Sequence, residues 1–159
     1  MTRIDFYRYA EDKLRFACRL ATKVYQSEKP LVVFSTDRAT LQRFDTALLT
    51  LQATSFVPHC FAGTAVAAET PIVLASSEAE LPHHDVLLNL ADEWPPFFAT
   101  FERLLEIVGT DEEDKSRARA RYSFYRERGY DIKVNPLGDA PSGTGSNTGA
   151  APSGTGSNT

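Results

Sequence analysis

Cysteine is scarce in this chain, long apolar runs are missing and no glycine-rich phosphate loop occurs, and each shortage removes a class of function. The two cysteines, Cys18 and Cys60, are spread over 159 residues. They make neither a disulfide framework nor a Cys-x-x-Cys metal knuckle, and Cys18 falls on the apolar side of a predicted helix, so both read as reduced packing residues. No window approaches the roughly 18 apolar residues that a membrane span needs. The N-terminus, MTRIDFYRYAEDK, has no apolar signal region, so a cytoplasmic location without a membrane partner is expected. A net charge of −4 disfavours nonspecific capture of nucleic acid by the whole surface, because a phosphate backbone is drawn to clustered Lys and Arg.

Catalytic signatures are equally thin. No GxxxxGK[ST] loop occurs, and the GxS nucleophile elbow is missing from the part expected to fold. The first strand-to-helix turn reads YRYAEDK: it has no glycine for close approach to a pyrophosphate, and Glu11 and Asp12 sit where the helix would receive an anion. His83 and His84 beside Asp85 would diverge rather than converge on one ion. His59, in SFVPHC, lacks a visible nucleophile or orienting partner, and Asp92 and Glu93 read as a solvated loop. No catalytic residue, metal ligand or cofactor is therefore assigned, and no enzymatic activity is expected.

What the chain does contain is an ordinary globular mixture, 42% apolar and 11% aromatic, enough for one buried core. From Asp139 the composition collapses into Ala, Pro, Ser, Gly, Thr and Asn, with PSGTGSNT repeated from Pro141 and from Pro152. A segment without apolar side chains cannot offset its ordering entropy. The expected organisation is one domain over 1–138 and a disordered low-complexity tail over 139–159.

Within the domain, a strand around Ile4 to Arg8 precedes Leu14, Ala17, Cys18, Ala21, Val24 and Tyr25 at helical spacing. Leu31 to Ser35 reads as a strand, Thr36 as an N-cap, and Leu41, Phe44, Leu48 and Leu51 as the stripe of a second helix. Pro71 to Ser76 and Asp85 to Leu90 are buried-strand candidates joined by a polar loop. After Pro95 and Pro96 the spacing of Phe98, Phe101, Leu104, Leu105 and Val108 predicts a helix ended by Gly109. A last helix over about Glu112 to Arg128 stops at Gly129 before the strand-like YDIKV. The alternation predicts an α/β fold, a Rossmann-like three-layer sandwich with a mostly parallel sheet and no nucleotide-binding loop.

One segment stands out electrostatically. Lys115, Arg117, Arg119, Arg121, Arg126 and Arg128 face a single acid, Glu127, a balance of +5 in a chain of net −4, so the remaining residues carry −9. At about 100° per residue, Lys115, Arg119 and Arg126 share one stripe, flanked by Tyr122 and Ser123. With the apolar end of the preceding predicted helix at Ile107 and Val108, this suggests a slot for an anion and a small apolar group together. Composition does not separate a nucleic-acid phosphate from a peptide carboxylate.

Several segments resemble the chi subunit family of the bacterial DNA polymerase III holoenzyme. They are IDFY, LQRFDTALLTL, SFVPH followed by Ala62 and Gly63, and ARARYSFYRERGY, and they cover most of residues 1–134. The pairing of SFVPH with ARxRYxxYRxxG[YF], in that order, is the specific part. The resemblance implies a clamp-loader accessory protein that performs no chemistry and connects the psi subunit to the acidic C-terminal tail of single-stranded DNA-binding protein, so that its association with DNA is indirect. It implies tail binding by Lys115, Arg119 and Tyr122, with Val108 bordering the apolar pocket. Ser123 replaces a lysine of better-known members, so affinity would be lower or shared with Arg126. It further implies psi contacts at Phe56, which could equally be core, and at Leu49, where those members carry tryptophan. Two other readings stay open: a small nucleotide-dependent or hydrolytic α/β enzyme, and a direct binder of single-stranded nucleic acid through the basic helix.

Overall fold

A computed structural model describes residues 1–51, 56–79 and 81–137, with the side chain of Leu51 excepted. The repeat-bearing tail expected from Asp139 lies outside the described residues. In chain order the elements are β1 (Arg3–Ala10), α1 (Lys13–Gln26), β2 (Leu31–Phe34), α2 (Arg38–Leu51), β3 (His59–Phe61), β4 (Ile72–Ala75), β5 (Val86–Asn89), β6 (Arg103–Gly109), α3 (Glu112–Glu127) and β7 (Ile132–Pro136). The seven strands form one sheet in the order β3-β4-β2-β5-β6-β1-β7, with every neighbouring pair parallel. The expected α/β sandwich is therefore present, with a fully parallel sheet.

The sheet is apolar on both faces because both are covered. LVVF, IVLA and VLLN in β2, β4 and β5 are buried at every position, the continuous pattern that a two-sided parallel sheet requires. On one face, Phe16, Leu20 and Val24 of α1 join Leu41, Phe44 and Leu48 of α2 in a core that includes Tyr7, Leu31, Val33 and Leu88. On the other, Ala118 and Tyr125 of α3 join Phe97, Phe98 and Phe101 over Ile4, Phe6 and Leu104. Cys18 belongs to the first core, where burial pushes its thiol up to about 12, so it stays an uncharged packing group.

Two local expectations are corrected. The segment expected to be a helix from Phe98 to Val108 is a single 3₁₀ turn, Phe98–Thr100, followed by strand β6. A strand buried on both faces carries apolar residues at consecutive positions, so Leu104, Leu105, Ile107 and Val108 satisfy the helical template as well as the strand template. The cap of α2 is Asp37 rather than Thr36: its carboxylate accepts the Ala39 amide at 3.1 Å and the Thr40 hydroxyl at 3.0 Å. A further strand, β3, arises from HCF at the sheet edge, too short and too evenly half-buried to carry a pattern.

Candidate functional site: a cationic recess beside β1 and α3

Helix α3 is fixed at its start by acids. Asp111 caps it by accepting the Asp114 amide at 2.8 Å, and Glu112, Glu113 and Asp114 occupy the first turn, where the helix dipole favours negative charge. Asp114 also accepts the Gly109 amide at 2.6 Å and the Lys13 ammonium at 3.0 Å, tying α3 to the end of β6 and to α1. Burial pushes the Asp114 carboxyl up, but the Gly109 amide and Lys13 outweigh it and hold the group below its ordinary value of 3.8. A depressed carboxyl contributes stability above its unfolded-state value and loses it as pH falls through the lower folded-state value. Asp114→Asn is expected to cost about 2 kcal/mol at pH 7. In urea unfolding the gap between wild type and variant should narrow as pH drops below 3.8.

The inner face of α3 is held by a buried ionic group. Glu106, fully buried in the middle of β6, accepts from Arg121 Nε at 3.0 Å, the Tyr125 hydroxyl at 2.6 Å and Asn89 at 3.1 Å. Arg121 also donates to the Asp92 carbonyl at 2.7 Å, fastening the loop after β5. Burial, reinforced by the Glu106 charge, raises the Tyr125 hydroxyl far above its ordinary value, so it remains a donor at all working pH. One of the five basic residues of α3 is thus structural.

With Arg121 and Tyr125 turned inward, the opposite flank of the helix faces the ends of β1, β6 and β7. There Phe6, Arg8, Tyr9, Val108, Lys115, Ala118, Arg119, Tyr122 and Val134 line a recess of about 300 Å³. Its floor is apolar: Phe6, Val108 and Ala118 are buried, and Phe6 meets the Tyr122 ring edge-on at 5.5 Å. Its rim is cationic, and no carboxylate is among its lining residues. Lys115 lies 3.6 Å from the solvent-exposed Glu112, a pair of little strength, and 4.6 Å from the centre of the Tyr9 ring.

The structure brings four residues singled out in the sequence, Val108, Lys115, Arg119 and Tyr122, into this one recess. Arg126 is exposed on the last turn of α3 and does not line it. Seven residues separate it from Arg119, about 10 Å along the axis, so sharing a stripe does not mean sharing a pocket. Among the described residues neither Arg119 nor Arg126 has a carboxylate within ion-pairing distance. Arg117 instead reaches Asp92 and Glu113, and Arg128 lies over Phe124, which stacks on Trp94. Sequence reasoning missed Arg8 and Tyr9.

A second surface lies toward the β3 edge. The His59 ring is gripped on both nitrogens, by the Val57 carbonyl at 2.8 Å and by Asp45 of α2 at 2.8 Å, so it anchors a segment and is not poised as a base. The Phe56 ring lies 6.5 Å from that of His59, and Leu49 stands one turn beyond Asp45 on α2. Phe56 is 72% exposed and Leu49 51% exposed, so the core alternative for Phe56 does not hold.

Asp12 caps α1 by accepting the Arg15 amide at 3.1 Å, so that helix start is occupied by the chain's own carboxylate. Among the described residues, no three His, Cys, Asp or Glu side chains cluster as metal ligands, and no helix is long and apolar enough to cross a membrane.

The chain is similar to known proteins over most of its length. Residues 1–133 match the family described as DNA polymerase III chi subunit, HolC. The DNA polymerase III subunit chi of Pseudomonas aeruginosa is 34% identical over 141 residues, spanning 86% of this chain and 98% of that protein. The subunit chi of Haemophilus influenzae is 30% identical, covering 77% of this chain and 85% of its own length, and that of Escherichia coli K12 is 28% identical, covering 76% and 82%. The family match runs from β1 to the start of β7 and takes in every lining residue of the recess except Val134, together with Leu49 and Phe56. This chain accordingly belongs to the DNA polymerase III chi subunit family and is a component of the DNA replication machinery.

Proposed function

We propose that this chain is a non-catalytic replication adaptor that joins the clamp loader, through the psi subunit, to the acidic C-terminal tail of single-stranded DNA-binding protein. The observation that carries the reading is the recess itself, three cations around an apolar floor with no acid among its lining. Such a site suits a chain end that brings a carboxylate and an apolar side chain together. Arg119 offers a planar fork to the carboxylate, Lys115 adds a point charge, and the last side chain enters between Val108, Phe6 and Tyr122. Arg126, four residues beyond Tyr122, extends the cationic track, and Ser123 supplies no charge beside it. Phe56 and Leu49 provide the second attachment, to psi, by burying apolar surface.

The reading is tested by fluorescence anisotropy with a labelled peptide of the tail. Binding is expected to weaken with salt and to fall when the terminal carboxylate is amidated. Phe56→Glu should abolish psi capture and leave the peptide bound. Equal binding of free and amidated peptides, with naked single-stranded DNA bound as well and undiminished by Tyr122→Ala, would instead favour a direct nucleic-acid binder.

A further inference from the structure

Arg8 and Tyr9 should not be able to line one recess. Successive side chains of a regular strand point to opposite faces. In β1, Ile4 and Phe6 pack toward α3, and Tyr7 packs toward α1 and α2. Continued alternation would send Arg8 toward α3, Tyr9 toward α1 and Ala10 toward α3 again. Instead Ala10 joins the core on the α1 side, and Arg8 and Tyr9 both border the recess. The register records the cause: Arg8 is opposite Val108 and Ala10 is opposite Gly109, consecutive positions of β6, so Tyr9 is an extra residue. A bulge of this kind re-aims a side chain at a strand end.

The re-aimed residues are chemically specific. Tyr9 is 44% exposed, and two cations converge on its ring, Arg8 with its guanidinium carbon 5.4 Å and Lys115 with its ammonium 4.6 Å from the ring centre. Each is attracted by the ring face, but the two repel one another, and an anion between them relieves that repulsion. The recess thus carries a positive pole to which β1 contributes Arg8, in addition to Arg119 of α3. We propose that Arg8 and Tyr9 form a second anion subsite that selects peptide ends bearing side-chain carboxylates upstream of the terminal one. This rests on the acidic-peptide reading above and assigns it a further specificity-determining pair.

Two labelled decapeptides test it, both ending in phenylalanine with a free carboxylate, one with four aspartates upstream and the other with four asparagines in their place. Arg8→Ala, an exposed position, is expected to weaken the aspartate peptide roughly tenfold and to leave the asparagine peptide within about twofold of wild type. Tyr9→Ala should follow Arg8→Ala, Arg8→Lys should recover part of the loss, and Arg119→Ala should weaken both peptides. Unchanged affinity of Arg8→Ala for the aspartate peptide, or equal losses on the two peptides, would overturn the subsite alone. Wild type that binds neither peptide would overturn peptide capture and the subsite with it.

Discussion

Arg121→Ala is expected to destabilise the domain by about 3–5 kcal/mol, because it strands the Glu106 carboxylate inside the sheet without its cation. Typical domains have only about 5–15 kcal/mol to lose, so the urea midpoint should fall sharply at an unchanged slope. Arg121 and Glu106 are 2% and 0% exposed, which leaves water no route to replace the lost partner. The Tyr125 hydroxyl and Asn89 would still hydrogen-bond the carboxylate, but neither carries charge. Replacing both members, Arg121→Met with Glu106→Leu, should recover much of the loss, since two desolvated charges are removed together. A stability within 1 kcal/mol of wild type for Arg121→Ala would mean that the carboxylate finds water or a proton at little cost, contrary to the packing described above.

Arg119→Ala is expected to weaken the tail peptide by about 2 kcal/mol or more, close to thirtyfold, while leaving folding stability within about 0.5 kcal/mol of wild type. The two effects separate because Arg119 is exposed and, among the described residues, has no carboxylate partner whose loss could be felt in the free protein. Arg119→Lys keeps the charge but not the two-pronged geometry, so an intermediate loss should be seen. Raising salt should shrink the difference between wild type and Arg119→Ala, as expected for an exposed cation. Anisotropy at two ionic strengths, with thermal unfolding alongside, measures both. An unchanged affinity would remove Arg119 from the site.

Much of this could be read from the residues before any coordinates, and the failures have physical causes. The stripe of Lys115, Arg119 and Tyr122 was legible because a helix repeats its face every three or four residues. Arg126 obeyed the same angle but not the same height. Arg121 counted among the surface cations because charge alone does not reveal a buried partner, and Glu106 lay in a segment whose apolar spacing imitated a helix. Arg8 and Tyr9 were invisible since alternation sends neighbours apart, and the extra residue that defeats alternation leaves no trace in composition. Phe56 was ambiguous because an aromatic between a helix and a proline packs inward as readily as outward, and its 72% exposure decides the matter.

The order of strands also sets a length. Five inter-strand spacings separate β3 from β1, a lateral distance of roughly 24 Å, and Phe56 precedes the start of β3 whereas Arg8 stands near the end of β1, so the two lie farther apart still. Ligands seated at the two ends would neither touch nor exclude one another, so either could exchange while its counterpart stays docked. The barrel-free, one-layer sheet then behaves as a stiff spacer, and the reach of any complex built on it is fixed by strand count and strand length rather than by a flexible linker.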